Sequence, residues 1–539
     1  MRRPPARRGV RAGATAGIGT SVAVGIAVLV VGLLLSGCAV GPSQRPPVAT
    51  RQTAVGSVPD SPTPPAPPPA SPLPPLLPAT PAVRFDECTA TASRAVGGPA
   101  AFGGRDLRLG CATVPVAGSE TTPSGVVGVL RVTLGPAPPS PTVPLAVLSD
   151  PTSAGVGTAE AIRLAAGVPE TLLSGAAFYG IDVRGSGESE PVDCITPTTR
   201  ITLDDVDPAA ADAAAFAPVL RAAQSAARTC SQILEEAVTG YRTAAAAEDL
   251  ERVRRALGAP RLNVVALGQG AGVVAAWSER FPDGVGRTVL DALPDPTAPT
   301  LVRAEQSGEA ARAALTAFAT DCVARPGCPL GPDPAQAVAG IVLNLRAAPL
   351  AGTDGRLVGP GTLVTALVDG LSDPTTWTAT ATAVAAAGQG NPAPVLGMVD
   401  AQEADGAGFD LGLMTRCNDS SERLTVDQVV PVAARATDPV FGSWFVQQTL
   451  ACSSWPVPTE PLAAPTQSGA PPLLLASAAD PRSPAAGTQR VAAQLDGATL
   501  VSWLGTGHGS FPRTACITTA VEGYLVRAAL PRVGTVCPP

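Results

Sequence analysis

The chain has 539 residues but a single histidine and no lysine, so all 37 of its basic side chains are arginine. Each absence removes a chemistry. Most catalytic zinc sites take two or three imidazoles, which one histidine cannot supply. Without lysine there is no Schiff-base nucleophile and no Walker-type phosphate-binding loop. A net charge of −7 removes the basic face that a nucleic-acid binder needs. No cofactor is expected, and no nucleic-acid partner.

What is present is apolar and unevenly distributed. At 45% hydrophobic residues the chain can bury a large core. Of the 59 prolines, 15 crowd between Pro42 and Pro81. Ahead of them Arg2, Arg3, Arg7, Arg8 and Arg11 precede an apolar run from about Val22 to Leu35, which ends in Leu35-Ser36-Gly37-Cys38. That is the pattern of a secretory signal over residues 1–37. Its last four residues resemble a bacterial lipobox, which makes Cys38 the lipidated N-terminus of the mature protein. The alternative is a single N-terminal transmembrane anchor, since the apolar stretch approaches the span length. Residues 38–83 then form a Pro/Ser/Ala/Thr tract. Such a tract favours polyproline II and reaches about 140 Å if fully extended. The expectation is an exported protein, tethered to the outer face of the membrane and held away from it by a stalk.

From Phe85 onward short apolar strands alternate with helical stretches, the pattern of an α/β fold. Strands are predicted at 126–133, 143–149, 177–183, 263–267, 287–290, 472–476 and 498–503, and a helix over 244–257. Residues 297–410 turn mostly helical and read as a cap, inserted between core segments 84–296 and 411–539. The strand 263–267 breaks into Gly268-Gln269-Gly270-Ala271-Gly272, and a helix follows from Val273. From the residues alone this unit is a phosphate-binding turn, a nucleophile elbow that lifts a side chain above the sheet, or a tight structural turn.

Several segments together resemble the actinobacterial exported tripeptidyl-aminopeptidase-like (TAP-like) α/β-hydrolases. They are Asp182-Val183-Arg184-Gly185-Ser186-Gly187-Glu188-Ser189, Phe281-Pro282-Asp283-Gly284, Val289-Leu290-Asp291, Cys417-Asn418-Asp419, Cys452-Ser453-Ser454-Trp455-Pro456 and Gly507-His508-Gly509. The resemblance covers residues 85–539. It implies an α/β-hydrolase fold, with a mostly parallel central sheet, helices on both faces and an inserted helical cap. It also implies acyl transfer by Ser, Asp and His in that chain order. His508 takes the histidine's place, and Asp480, after the strand 472–476, takes the aspartate's.

The serine is missing. Counted back from Phe281 without gaps, the nucleophile position falls on Gly268; a register shifted by two puts it on Gly270. Neither residue offers a nucleophile. The loop that should supply an oxyanion-hole N–H reads Asp150-Pro151-Thr152-Ser153-Ala154-Gly155, with glycines lost and an acid beside the hole. A negative charge there opposes a developing oxyanion. Gln269, Thr152 and Ser153 are the candidate oxyanion-hole residues. Ser510 and Ser153 are the nearest replacement nucleophiles by sequence, and neither lies on the elbow. Asp150 and Asp480 with one histidine make a poor metal-ligand set, so no metal site is expected.

With Cys38 lipidated, ten of the eleven cysteines remain. Their simplest pairing joins sequence neighbours: Cys88/Cys111, Cys194/Cys230, Cys322/Cys328, Cys417/Cys452 and Cys516/Cys537, each bridge adding roughly 2–4 kcal/mol. The expected function is that of a surface lipoprotein with a catalytically inactive hydrolase fold, binding a peptide, acyl or envelope ligand in its cleft. The alternative is an active exported aminopeptidase or esterase with a relocated nucleophile. The anchor is directly testable: metabolic palmitate labelling should mark the wild-type chain and vanish in Cys38→Ala. Membrane retention without labelling would favour the transmembrane alternative.

Overall fold

The computed structural model describes residues 73–118, 124–135, 142–153, 156–404, 408–458, 460–466 and 469–539. The expected signal segment, Cys38 and most of the proline tract lie outside the described residues. Among the described residues no helix is long and apolar enough to cross a membrane.

The chain folds around one ten-stranded sheet. Its strands are β1 (Asp86–Glu87), β2 (Leu107–Val116), β3 (Gly125–Leu134), β4 (Pro144–Leu148), β5 (Ala177–Ile181), β6 (Leu262–Leu267) and β7 (Val285–Asp291). A two-stranded hairpin, β8 (Leu350–Ala351) and β9 (Leu357–Val358), belongs to the cap. The sheet is completed by β10 (Leu473–Ala479), β11 (Thr499–Thr506) and β12 (Val536–Cys537). The spatial order is β1-β2-β3-β5-β4-β6-β7-β10-β11-β12. From β5 to β12 all neighbours are parallel, while β1, β2 and β3 add an antiparallel edge. Strands covered on both faces lose the polar alternation of a half-exposed strand. Accordingly every residue of β4, β5 and β7 is buried. This is an α/β-hydrolase fold.

The order makes a switch point between β4 and β6. The chain leaves β4 toward β5 on one side and leaves β6 toward β7 on the other. In open parallel sheets the strand ends part there and leave a crevice for side chains from both loops. The residues following β4 and β6 are the oxyanion loop and the glycine turn.

The structure moves three boundaries drawn from the sequence. Among the described residues the packed body already includes Leu73, inside the expected stalk 38–83. Ala79 pairs with Thr142 through two backbone hydrogen bonds, and the buried Arg287 donates to the Pro74 carbonyl at 3.0 Å. Proline-rich sequence hides this, because these contacts use backbone carbonyls rather than an apolar pattern. The cap also runs past 410. Helices continue through Gly408–Asp419, Val426–Ala433 and Trp444–Gln448 to Cys452. Finally, the cap has a second piece before the elbow, since Ile195, Phe216 and Cys230 share one hydrophobic cluster with Phe318, Leu367, Trp377 and Leu450.

All five sequence-neighbour disulfides are formed: Cys88–Cys111, Cys194–Cys230, Cys322–Cys328, Cys417–Cys452 and Cys516–Cys537. The middle three lie in the cap. The surroundings of Cys111 need a correction, because the sequence pattern predicts no strand before residue 126. Cys111 stands in the middle of β2, opposite Asp86 of β1 and Leu130 of β3. Its bridge holds β2 to Cys88, which caps the short helix Thr89–Ala95. The strand escapes the pattern because its burial neither runs continuously nor alternates. Cys516–Cys537 likewise ties the last helix, Ala515–Arg527, to the edge strand β12. These two bridges are therefore fastenings of the two sheet edges, and neither is near the glycine turn in the sheet order.

The motifs that carried the resemblance mostly hold architecture. Asp182 accepts from Thr158 N at 2.8 Å and from Glu188 N at 2.9 Å. Arg184 pairs with the buried Asp249 at 2.6 Å. Asn418 donates to the carbonyls of Val238 and Tyr241 and accepts from the Trp455 indole, which ties the two pieces of the cap together.

Candidate functional site

Gly268 follows β6 directly and caps the helix Gln269–Arg280, with φ 55° and ψ −124°. A side-chain residue in such a conformation carries about 1–3 kcal/mol of strain, and glycine avoids it. The backbone is therefore that of a nucleophile elbow. It also fixes the register, because Gly270 lies inside the helix. The helix begins at Gln269 rather than at the predicted Val273, since the glycines between are helical.

His508 stands beyond the end of β11, and its Nδ1 lies 3.0 Å from Asp480 Oδ2, beyond the end of β10. Asp480 is fully buried and also accepts from the backbone N–H groups of Arg482 at 2.9 Å and Ser483 at 3.0 Å. The structure thus brings together the two residues expected to form a dyad. Phe511-Pro512 follows the histidine loop, whose Ser510 and Phe511 N–H groups are held by the buried Asp291 at 2.7 and 2.8 Å.

On its other side the imidazole does not face an open elbow. Asp150 Oδ2 lies 3.2 Å from His508 Nε2, an ion-pair contact rather than an aligned hydrogen bond. A Cβ built on Gly268 would stand 2.3 Å from that same Oδ2 and 2.7 Å from the Asp150 Cβ. The Asp150 carboxylate therefore fills the volume where a nucleophile's side chain would be. The sequence shows Asp150 only as an acid beside the oxyanion hole. The missing signal is spatial: β4 and β6 are adjacent, so residues more than a hundred positions apart meet over the switch point.

The electrostatics follow from this sandwich. Burial alone would lower the His508 pKa, but the Asp480 charge, with Asp150 on the opposite side, raises it to about 10. Burial works against ionisation of Asp150, yet His508 and Thr152 hold its carboxyl below the ordinary range. The group is an imidazolium between two carboxylates. A histidine that is already protonated cannot take a proton from a nucleophile or a water.

The oxyanion candidates are placed as follows. Thr152 does not serve: its N–H donates to Asp150 Oδ1 at 2.9 Å and its hydroxyl to the same oxygen at 2.6 Å. A short polar loop turned toward an acid satisfies that acid first. Ser153 ends the 3-10 turn Pro151–Ser153, and its side chain lies outside the described residues. Gln269 has its backbone at the start of the elbow helix, while its amide donates to Thr243 Oγ1 at 2.5 Å and reaches Asp419 Oδ2 at 3.4 Å. Burial pushes Asp419 up to about 6. Ser510 is no replacement nucleophile, since its hydroxyl is buried against Asp291 at 3.2 Å. Among the described residues no group of three or more His, Cys, Asp or Glu side chains is arranged to hold a metal ion.

Above the dyad, between cap and sheet, lies a cleft of about 470 Å³ with Asp150, Thr152, Gln269 and Arg482 in its wall. Arg482 bridges the two parts, pairing with Asp369 of the cap at 2.6 Å and donating to Ser372 Oγ at 3.2 Å.

The sheet order, the elbow backbone and the Asp480–His508 pair define an α/β-hydrolase fold with a dyad at its strand ends. Residues 438–537, which carry both dyad members, match the family model described as TAP-like protein. Over that segment the chain is similar to the TAP-like α/β-hydrolases. It is 26% identical over 317 residues to Serine protease Hip1 of Mycobacterium tuberculosis (strain ATCC 25618 / H37Rv), covering 54% of this chain and 60% of that protein. The match thus spans less than two thirds of that relative's length. Tripeptidyl aminopeptidase of Streptomyces coelicolor is 26% identical over 380 residues, 67% of this chain and 70% of its own. Carboxylesterase B of Mycobacterium tuberculosis (strain ATCC 25618 / H37Rv) is 27% identical over 461 residues, 80% of this chain and 86% of its own.

Because the chain has one histidine, its imidazole signal needs no assignment. With histidine labelled, the NMR resonance should stay at the imidazolium position from about pH 5 to pH 8.5, and Asp150→Asn should move its titration downward. The linked stability has a definite sign. His508 is raised above its ordinary 6.5, so the folded state binds the extra proton. That stabilisation is full below pH 6.5 and is lost as pH rises toward about 10. Thermal unfolding of the wild type should therefore weaken over that window, and His508→Gln should flatten the dependence. Titration with a midpoint near 6.5 would contradict the sandwich.

Proposed function

We propose that this protein is a catalytically silent TAP-like hydrolase, held at the outer face of the membrane through Cys38, that binds a peptide or acyl ligand in the cleft between cap and sheet. One observation carries the reading: the Asp150 carboxylate occupies the nucleophile's place and fixes His508 as an imidazolium. Acyl transfer needs a nucleophile, a free base and an oxyanion hole. Gly268 supplies no nucleophile, His508 no free base, and Asp150 puts a negative charge beside the hole. The ligand class follows from the relatives, whose names speak of peptides and carboxylic esters. The cleft volume is in the range of small-molecule sites.

The test is labelling of the full chain by a fluorophosphonate probe. The wild type should not react. Gly268→Ser alone should also stay unreactive and lose about 1–3 kcal/mol of stability, because its Cβ meets Asp150 in a conformation that strains a side chain. Alanine at 150 would not clear the site, since the Asp150 Cβ itself is 2.7 Å from the new atom. Gly268→Ser with Asp150→Gly should relieve the clash, free His508 and become labelled, dependent on His508. Wild-type labelling abolished by His508→Ala would overturn the silent reading.

A further inference from the structure

The cleft contains one arginine that the protein does not neutralise in the way it neutralises the others. Arg482 pairs with Asp369 at 2.6 Å and Arg490 with Asp295 at 2.7 Å. Arg303 donates to the Ala298 carbonyl at 2.9 Å and to Thr300 Oγ1 at 3.1 Å. Arg416, on the cap helix Gly408–Asp419, also lines the cleft. Its side chain keeps its accessible surface, and it enters no hydrogen bond or ion pair among the described residues. Enclosure by protein disfavours its charge, Arg303 adds to that effect, and Asp204 opposes it.

The wall of the cleft is mixed: apolar side chains stand beside the carboxyl groups of Asp204, Asp295, Asp419 and Glu422. Phe409 and Leu413 come from the same helix, while Trp444 and Phe445 form an edge-on pair with centroids 4.8 Å apart. A guanidinium held against such a surface is costly unless an anion meets it, and a carboxylate matches its fork with two parallel hydrogen bonds. The cation and the apolar part of the wall together suit a molecule with the same division.

We propose that Arg416 is the anion-recognising residue of the cleft, pairing with the carboxylate of a small amphiphilic acid whose apolar body lies along Phe409, Leu413, Trp444 and Phe445. This rests on the reading of the cleft as a ligand site, and it names the ligand's chemistry. Two sources supply that chemistry: the free C-terminus of a hydrophobic peptide, and a free medium-chain acyl acid.

Calorimetric titration of the full chain separates them. One pair of probes is trileucine as free acid and as C-terminal amide; the other is decanoate and decanol. At least one acid should bind, with its neutral counterpart about tenfold weaker or more, as loss of a charge-assisted pair implies. Arg416→Gln should weaken that acid by a similar factor and leave the neutral probe unchanged. Arg416→Lys, which keeps the charge but not the fork, should fall between them. The acid that binds identifies the source. Equal binding of acid and neutral forms, an acid affinity indifferent to Arg416→Gln, or no binding by either acid would overturn the assignment. The silent-hydrolase reading is judged separately by fluorophosphonate labelling, so the two can fail independently.

Discussion

The site is organised by one buried cation between two buried anions. His508, Asp150 and Asp480 are all nearly inaccessible to water, and a charge in such surroundings is tolerated only when paired and hydrogen-bonded. Asp480 meets this through His508 and two backbone N–H groups, and Asp150 through His508 and Thr152. Removing any member leaves an uncompensated charge where water cannot reach it. The three therefore stand or fall together, although they come from loops after β10, β4 and β11.

The fold explains why they meet at all. Parallel strands present their C-terminal ends on one edge, and the switch point between β4 and β6 opens that edge where the elbow turns. A hydrolase uses this geometry to hold a serine against an imidazole. Here the same geometry holds a carboxylate against it. The elbow backbone keeps its unusual conformation, yet glycine occupies it without strain. The elbow backbone and the Asp480–His508 pair are both present, and the charge that stands between them is that of Asp150.

Much of the fold was legible in the sequence. The short, mostly apolar runs at β4, β5, β6 and β10 are what buried parallel strands require, and their positions, with the Val289-Leu290 part of β7, emerged within a few residues. The antiparallel edge was not so visible: β2 carries Arg108 and Pro115 and is buried unevenly, so it has neither a clean run nor a clean alternation. Cys111 could be paired with Cys88 by order along the chain, but the strand that holds it could not be seen. The cap's first piece was missed because residues 192–240 become cap only by packing against helices far along the chain. At the site, Gly268, Asp480 and His508 could be placed because motif spacing fixes them along the chain. The role of Asp150 could not, because it depends on which strands are neighbours and how close two loops come.

The absent serine and the present aspartate are best understood as one change. Deleting a nucleophile's side chain at the elbow would by itself leave a void beside a buried histidine, and both voids and unsatisfied polar groups are destabilising. The Asp150 carboxylate fills that volume and gives Nε2 a charged neighbour. It does so at the expense of the base, because an imidazole flanked by two carboxylates holds its proton. A serine side chain at 268 would meet Asp150, so the two positions are sterically coupled. The cleft is under no such constraint. Its wall comes largely from the cap, and its residues do not depend on a reactive serine. A change at 268 therefore carries no requirement that the cleft wall change with it.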